Sequence, residues 1–267
     1  MYKIVSSVCF VALISFTNPS PPGHHKPWRL VWSDEFDYTG LPDSTKWGYD
    51  VWPPGRVNDE KQEYLYKDTS TVYASHGFLR ITANQVIKNG DTSYRSARIV
   101  TKDKGAWTYG KMEIRAKVAR GRGLCSAVWM FPAEQKYGNW PHSGEIDIME
   151  HIGWGMNKDS IFQTVHTGAY NHVIGNQRGK RVFVEDPPAD FHVYTIEWTS
   201  EYIDYSLDGQ HTFRVSNDHK TTEEWPFNIP YFLIMNISVG GKWEGAKGID
   251  PAIFPATMLV DYVRVYQ

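Results

Sequence analysis

Residues 111–118, Lys111-Met112-Glu113-Ile114-Arg115-Ala116-Lys117-Val118, alternate charged and apolar side chains at every step. A period of two belongs to a strand with one face in a core and the other in water. The same logic predicts strands over residues 30–36, 78–86, 94–102, 191–198 and 258–266. Residues 202–215 fold back at Asp208-Gly209, a dipeptide that accepts the left-handed conformations of a two-residue hairpin turn. No stretch of about ten residues carries the apolar stripe of an amphipathic helix, and 22 Gly with 15 Pro punctuate the strands. The predicted class is all-β, a two-sheet antiparallel sandwich of roughly ten strands or more. A sandwich of this size curves, so outward side chains from several strands converge on a concave cleft.

The first residues read differently. Lys3 precedes an apolar run over residues 4–16, the form of an export signal, shorter than the roughly 20 residues a membrane span needs. The expectation is a signal peptide over 1–19, a proline-rich leader over 20–27 and a single domain over 28–267. The product is then secreted, extracellular or periplasmic, with no membrane insertion after signal removal. Cys9 falls inside the signal, which leaves Cys125 alone in the mature chain and no internal disulfide.

Charge narrows the partners. With 28 Lys and Arg against 30 Asp and Glu, the formal net charge is −2, and no basic field is available to hold nucleic acid or an anionic membrane. An uncharged partner and a monomeric chain are expected. Aromatics make up 15% of the residues, with 11 Trp and 16 Tyr, and their flat apolar faces with polar edges suit sugar rings as well as cores.

One strand carries the candidate chemistry. In Gly144-Glu145-Ile146-Asp147-Ile148-Met149-Glu150-His151 the acids alternate with apolar residues until the phase slips. A regular strand puts Glu145 and Asp147 on one face and turns Glu150 into the core, where an unpaired charge is costly. A β-bulge at Ile148-Met149 restores the phase and brings all three carboxyls to one side. Crowded carboxylates repel unless the proton held by one of them is useful. Retaining glycoside hydrolysis uses it, pairing an ionised nucleophile with a protonated acid about 5–5.5 Å apart. Two other readings fit the same residues: a solvated outer face, or a metal cluster with His142, His151 and His166, although no His-x-His or His-x-x-x-His spacing occurs.

The motif from Trp140-Pro141 through Glu145-Ile146-Asp147-Ile148-Met149-Glu150 to His151-Ile152-Gly153 resembles the signature of glycoside hydrolase family 16 in its bulged, laminarinase-like form. The likeness extends from Val31-Trp32-Ser33-Asp34-Glu35-Phe36 through Tyr109-Gly110-Lys111-Met112-Glu113 to Asp261-Tyr262-Val263-Arg264-Val265-Tyr266. It implies a jelly roll with an open cleft, a catalytic domain over 28–267, and retaining endo-hydrolysis of β-linked polysaccharide. By this resemblance Glu145 is the nucleophile, Asp147 the assisting acid and Glu150 the general acid/base. Trp129 and Trp140 match tryptophans that line sugar subsites, His166 matches a cleft histidine, and Asn58, Glu60, Arg98 and Asn236 match polar positions that bind glucose hydroxyls. Glu35, Gly77 and Asp261 match the ligands of a structural calcium ion on the convex face; catalysis itself needs no cofactor. Cys125 is a departure, standing where relatives commonly carry an aromatic.

The resulting expectation is a secreted endo-glycosidase acting on β-1,3-glucan or mixed-linkage β-1,3-1,4-glucan. The alternatives are the same chemistry on agar, porphyran or carrageenan, and a glucan-binding protein without activity, which has no reason to keep mutually repelling acids.

Overall fold

The alternating segments are strands in the computed structural model, which describes residues 27–267. In chain order these are β1 (Leu30–Asp34), β2 (Gly48–Tyr49), β3 (Gln62–Tyr64), β4 (Val72–Ser75), β5 (Phe78–Lys88), β6 (Asp91–Ser96), β7 (Arg98–Val100) and β8 (Gly110–Lys117). They continue as β9 (Leu124–Pro132), β10 (Glu145–Ile152), β11 (Ser160–His166), β12 (Arg178–Phe183), β13 (His192–Trp198), β14 (Tyr202–Leu207), β15 (Gln210–Ser216), β16 (Tyr231–Val239) and β17 (Ala256–Tyr266). Among the described residues the only helical turns are three short 3-10 segments. The expected signal over 1–19 and leader over 20–27 lie outside the described residues, apart from Pro27.

The strands form two sheets. A ten-stranded sheet runs β15-β14-β13-β8-β17-β5-β6-β3, with β1 beside β17 and β4 beside β5; a seven-stranded sheet runs β12-β11-β10-β9-β16-β7-β2. Every pairing is antiparallel except β3 with β6. This is the all-β two-sheet sandwich the periodicity predicts, and the jelly roll the family resemblance implies.

One core fills the space between the sheets. Met112, Ile114 and Ala116 of β8 and Val263 and Val265 of β17 pack in the same cluster as Val128 and Met130 of β9 and Leu233, Met235 and Ile237 of β16. Each such side chain contributes about 1.5–3 kcal/mol when fully buried. The odd positions of β8 stay half-exposed, as the charged half of the alternation requires. The hairpin at Asp208-Gly209 has positive φ at both residues, 50° and 77°, as a two-residue turn of this kind needs.

The segment 94–102 differs from expectation. It is two strands rather than one, because Ala97 separates β6 in the larger sheet from β7 in the smaller one. A chain that changes sheets at a corner keeps its alternation through the bend, so the sequence shows no break.

Candidate active site

Gly144 opens β10 with φ 81°. A Cβ there would lie 2.4 Å from the Tyr231 hydroxyl, which donates to the Ser143 carbonyl at 2.5 Å. Glu145 therefore enters the sheet from a turn only glycine can make. Along β10, Asp147 stands opposite Trp129 of β9 but Met149 opposite Val128 and Glu150 opposite Ala127, so Ile148 is the extra residue of a bulge. Ile146, Ile148 and Met149 all point into the core. Glu145, Asp147 and Glu150 line one cleft of about 560 Å³.

Burial is the first cause of the carboxyls' proton affinities. It pushes Glu145 up to about 8, reinforced by the Asp147 charge and opposed by His166 and Arg98. Glu150 is driven well above the usual carboxyl range, again by burial first and then by Asp147, Glu145, Glu244 and Glu60. Glu150 thus has no cation opposing its rise and is the last of the pair to ionise. Asp147 is buried between them, and His166 Nε2 approaches its Oδ2 at 3.4 Å. Burial lowers the His166 proton affinity, but its contact with Asp147 and the Glu145 charge leave it raised overall.

The remaining expected residues gather around these three. Trp129 Nε1 donates to Asn236 Oδ1 at 2.8 Å, and Asn236 Nδ2 donates to the Tyr64 hydroxyl at 3.1 Å. The Arg98 guanidinium is sandwiched between the rings of Trp52 and Trp129, 4.0 and 4.6 Å from their centroids, while its Nε donates to Asp50 at 2.9 Å. That sandwich holds the Trp129 ring in place through cation–π contact. Trp140 lies across the cleft against His172 at 4.9 Å and His166 at 5.9 Å. Asn58 and Glu60 line the same cleft, with Glu60 Oε2 accepting from Gln62 Nε2 at 2.7 Å. Trp52, Tyr64 and His172 escaped the sequence reading. They come from loops and a three-residue strand, where no periodic signal exists.

One metal reading is corrected. His142 pairs with Glu223 on the surface at 2.9 Å, and His151 is buried with Nδ1 against the Ser160 carbonyl at 3.1 Å, so neither joins His166. The close group among the described residues is instead Glu145, Asp147 and His166, whose ligand atoms lie within 4.8 Å of one another. In the expected calcium set, Arg264 takes the Glu35 carboxylate with two hydrogen bonds, and Arg115 takes Asp261 at 2.6 Å. Cys125 sits at the base of the cleft; burial raises its thiol far above the usual range, which suits a small packing residue rather than a nucleophile.

A jelly roll whose cleft holds a strand-borne carboxyl pair of unequal proton affinity, flanked by tryptophans, defines an O-glycosyl hydrolase. The family model described as Glycosyl hydrolases family 16 matches residues 35–264. The chain is 50% identical over 247 residues to a beta-glucanase of Rhodothermus marinus, covering 90% of this chain and 85% of that protein. The solved laminarinase of Rhodothermus marinus superposes with a TM-score of 0.85 at 48% identity, over 90% of this chain and 97% of that one. A non-specific endo-beta-1,3(4)-glucanase called SCLam also gives 0.85, at 40% identity, over 93% of this chain and 94% of its own. The chain belongs to glycosyl hydrolases family 16. Catalysis in this family needs no cofactor.

Proposed function

We propose that the protein is a retaining endo-hydrolase of β-1,3-glucan, with mixed-linkage β-1,3-1,4-glucan as a related substrate. The observation that carries this reading is the bulge of β10, which turns Glu145 and Glu150 into one cleft with different affinities for a proton. Glu145, the first to ionise, attacks the anomeric carbon. As that bond forms and the glycosidic C–O bond breaks, Glu150 gives its proton to the leaving oxygen. Water then attacks the anomeric carbon, Glu150 takes its proton, and Glu145 departs as a carboxylate. Asp147, held by His166, lies between the two and steadies the proton shared by the pair.

Trp129 and Trp140 present rings to the sugar chain, and Asn58, Glu60, Arg98 and Asn236 supply hydrogen-bonding edges along it. The glucan assignment is supported by the relatives' activities and by the absence of a basic surplus in the sequence. Export directed by residues 1–19 brings the enzyme to polysaccharide outside the cytoplasm; amino-terminal sequencing of protein recovered from the medium or periplasm should begin after that segment.

The direct test is hydrolysis of laminarin followed by NMR of the first product. The β-anomer should appear before mutarotation, and Glu145→Gln should abolish release while keeping the fold. Near-wild-type turnover by that variant would falsify the assignment.

A further inference from the structure

His166 and Asp147 face each other without closing a short hydrogen bond. His166 Nε2 lies 3.4 Å from Asp147 Oδ2, beyond the roughly 2.7–3.2 Å of an N–H···O bond. Asp147 Oδ2 is buried and has no hydrogen-bond partner among the described residues, which leaves a carboxylate oxygen out of water with its lone pairs unused. Both side chains are more than nine-tenths buried, at 8% and 3% exposure. Their placement comes from the sheet: in the pairing of β10 with β11, Glu145 stands opposite His166 and Asp147 opposite Thr164. Trp140 and His172 wall the imidazole in, with ring centroids 5.9 and 5.1 Å away.

A separation too long for a hydrogen bond is the separation of two ligands on one metal ion. Donors about 2.0–2.2 Å from a tetrahedral zinc ion stand about 3.3–3.6 Å apart. Glu145 supplies a third donor. One ligand atom from each of Glu145, Asp147 and His166 lies within 4.8 Å of the others, and Glu145, the one member of the three that is not fully buried, has the freedom to close the set by rotating its side chain. We propose that these three residues bind a divalent cation of the zinc type, with its fourth position open to the cleft, and that the ion inhibits the enzyme by occupying the carboxylate that attacks the sugar. Inhibition rests on the role given to Glu145 above; binding of the ion does not.

The donor set selects the ion. One imidazole nitrogen with two carboxylates suits zinc and its neighbours in the first transition row. Calcium needs six to eight oxygen ligands and magnesium an octahedron of oxygens, and neither is met here. The second ring nitrogen of His166, Nδ1, is buried without a hydrogen-bond partner among the described residues. Imidazoles that hold a permanent metal are normally braced at that atom by an acceptor, so the ion at this site comes and goes rather than forming part of the fold.

The test strips the enzyme with EDTA, removes the chelator, and titrates the protein with zinc chloride at one fixed pH by calorimetry while laminarin hydrolysis is followed in parallel. One zinc per chain should be displaced by a laminari-oligosaccharide, and inhibition should be competitive with glucan and reversed by EDTA. Cobalt(II) in its place should give the intense visible bands of a tetrahedral ion, while calcium and magnesium should neither bind there nor inhibit. His166→Gln should weaken zinc binding by about tenfold or more. His219→Gln, which removes an exposed imidazole paired with Glu201 at 2.9 Å, should leave it unchanged. Equal zinc affinity in folded His166→Gln overturns the proposal. Should that variant fail to fold, the wild type decides: in enzyme that cleaves laminarin, no saturable zinc binding, or binding indifferent to the oligosaccharide, overturns it too. Zinc that binds one to one, is lost in His166→Gln and yet leaves turnover intact would keep the site and remove Glu145 from the role of nucleophile. Failure of the metal-free enzyme to cleave laminarin would remove the glucan reading alone, with zinc affinity in His166→Gln still deciding the site.

Discussion

A nucleophile and an acid built from the same side chain type must be made different by their surroundings. Glu145 has Arg98 and His166 to oppose its rise, whereas the neighbours acting on Glu150 are all acids. Activity should therefore follow a bell-shaped pH profile, rising as Glu145 loses its proton and falling as Glu150 loses its own. Glu150→Gln should cut turnover of natural glucan by ~10²–10⁴-fold, spare aryl glycosides with good leaving groups, and erase the alkaline limb. An alkaline limb that survives in this variant would assign the proton to another group. The same burial has a cost in stability. Glu145 titrates at about 8 in the fold against 4.5 for an ordinary glutamate, so the folded protein holds a proton that the unfolded chain releases between those values. Stability must fall as pH climbs through that window. Glu145→Gln removes its share of the fall, and its melting temperature should exceed the wild type's by an amount that grows from pH 4.5 to 8, at about 2–4 °C for each kcal/mol recovered. Scanning calorimetry across that range checks the sign.

At the level of strands, the phase slip in β10 was legible because the sequence offered only two choices, a bulge or a charge in the core. The bulge falls at Ile148, which packs in the core together with Met149 beside it. β9, β11 and β16 were not legible as alternating strands. β16 is buried at every position, one face in the core and the other forming the cleft floor, so its run from Tyr231 to Val239 shows no polar half. The turn into β10 carries a sharper constraint than any of these. Gly144→Ala puts a methyl group against Tyr231 and Pro226 and forces a positive φ on an alanine. Strain of that kind costs ~1–3 kcal/mol, and a displacement of about 1 Å at Glu145 costs up to ~10²-fold in rate. The variant should melt lower and lose kcat more than it raises KM; steady-state kinetics on folded protein separate the two.

Taken whole, the molecule is nearly neutral, with 28 basic and 30 acidic side chains, and several of its surface charges are paired. Arg264 with Glu35 ties β17 to the loop after β1, and Arg115 with Asp261 ties β8 to β17. Arg178 is paired with Asp218 at 2.7 Å and stacked on Tyr170. Within the cleft Arg98 is likewise held by Asp50 and enclosed by two indoles. Binding then depends on ring contacts and hydrogen bonds, which salt barely screens, rather than on a long-range field. kcat/KM on β-1,3-glucan should change by less than about twofold between ~0.05 and ~0.5 M sodium chloride. An enzyme drawing in a sulfated galactan would lose activity steeply over the same range, since electrostatic steering worth ~10-fold or more disappears once the Debye length shrinks below the cleft's own width. A steep loss on the neutral glucan would show that charge, and not only ring contacts and hydrogen bonds, contributes to its binding.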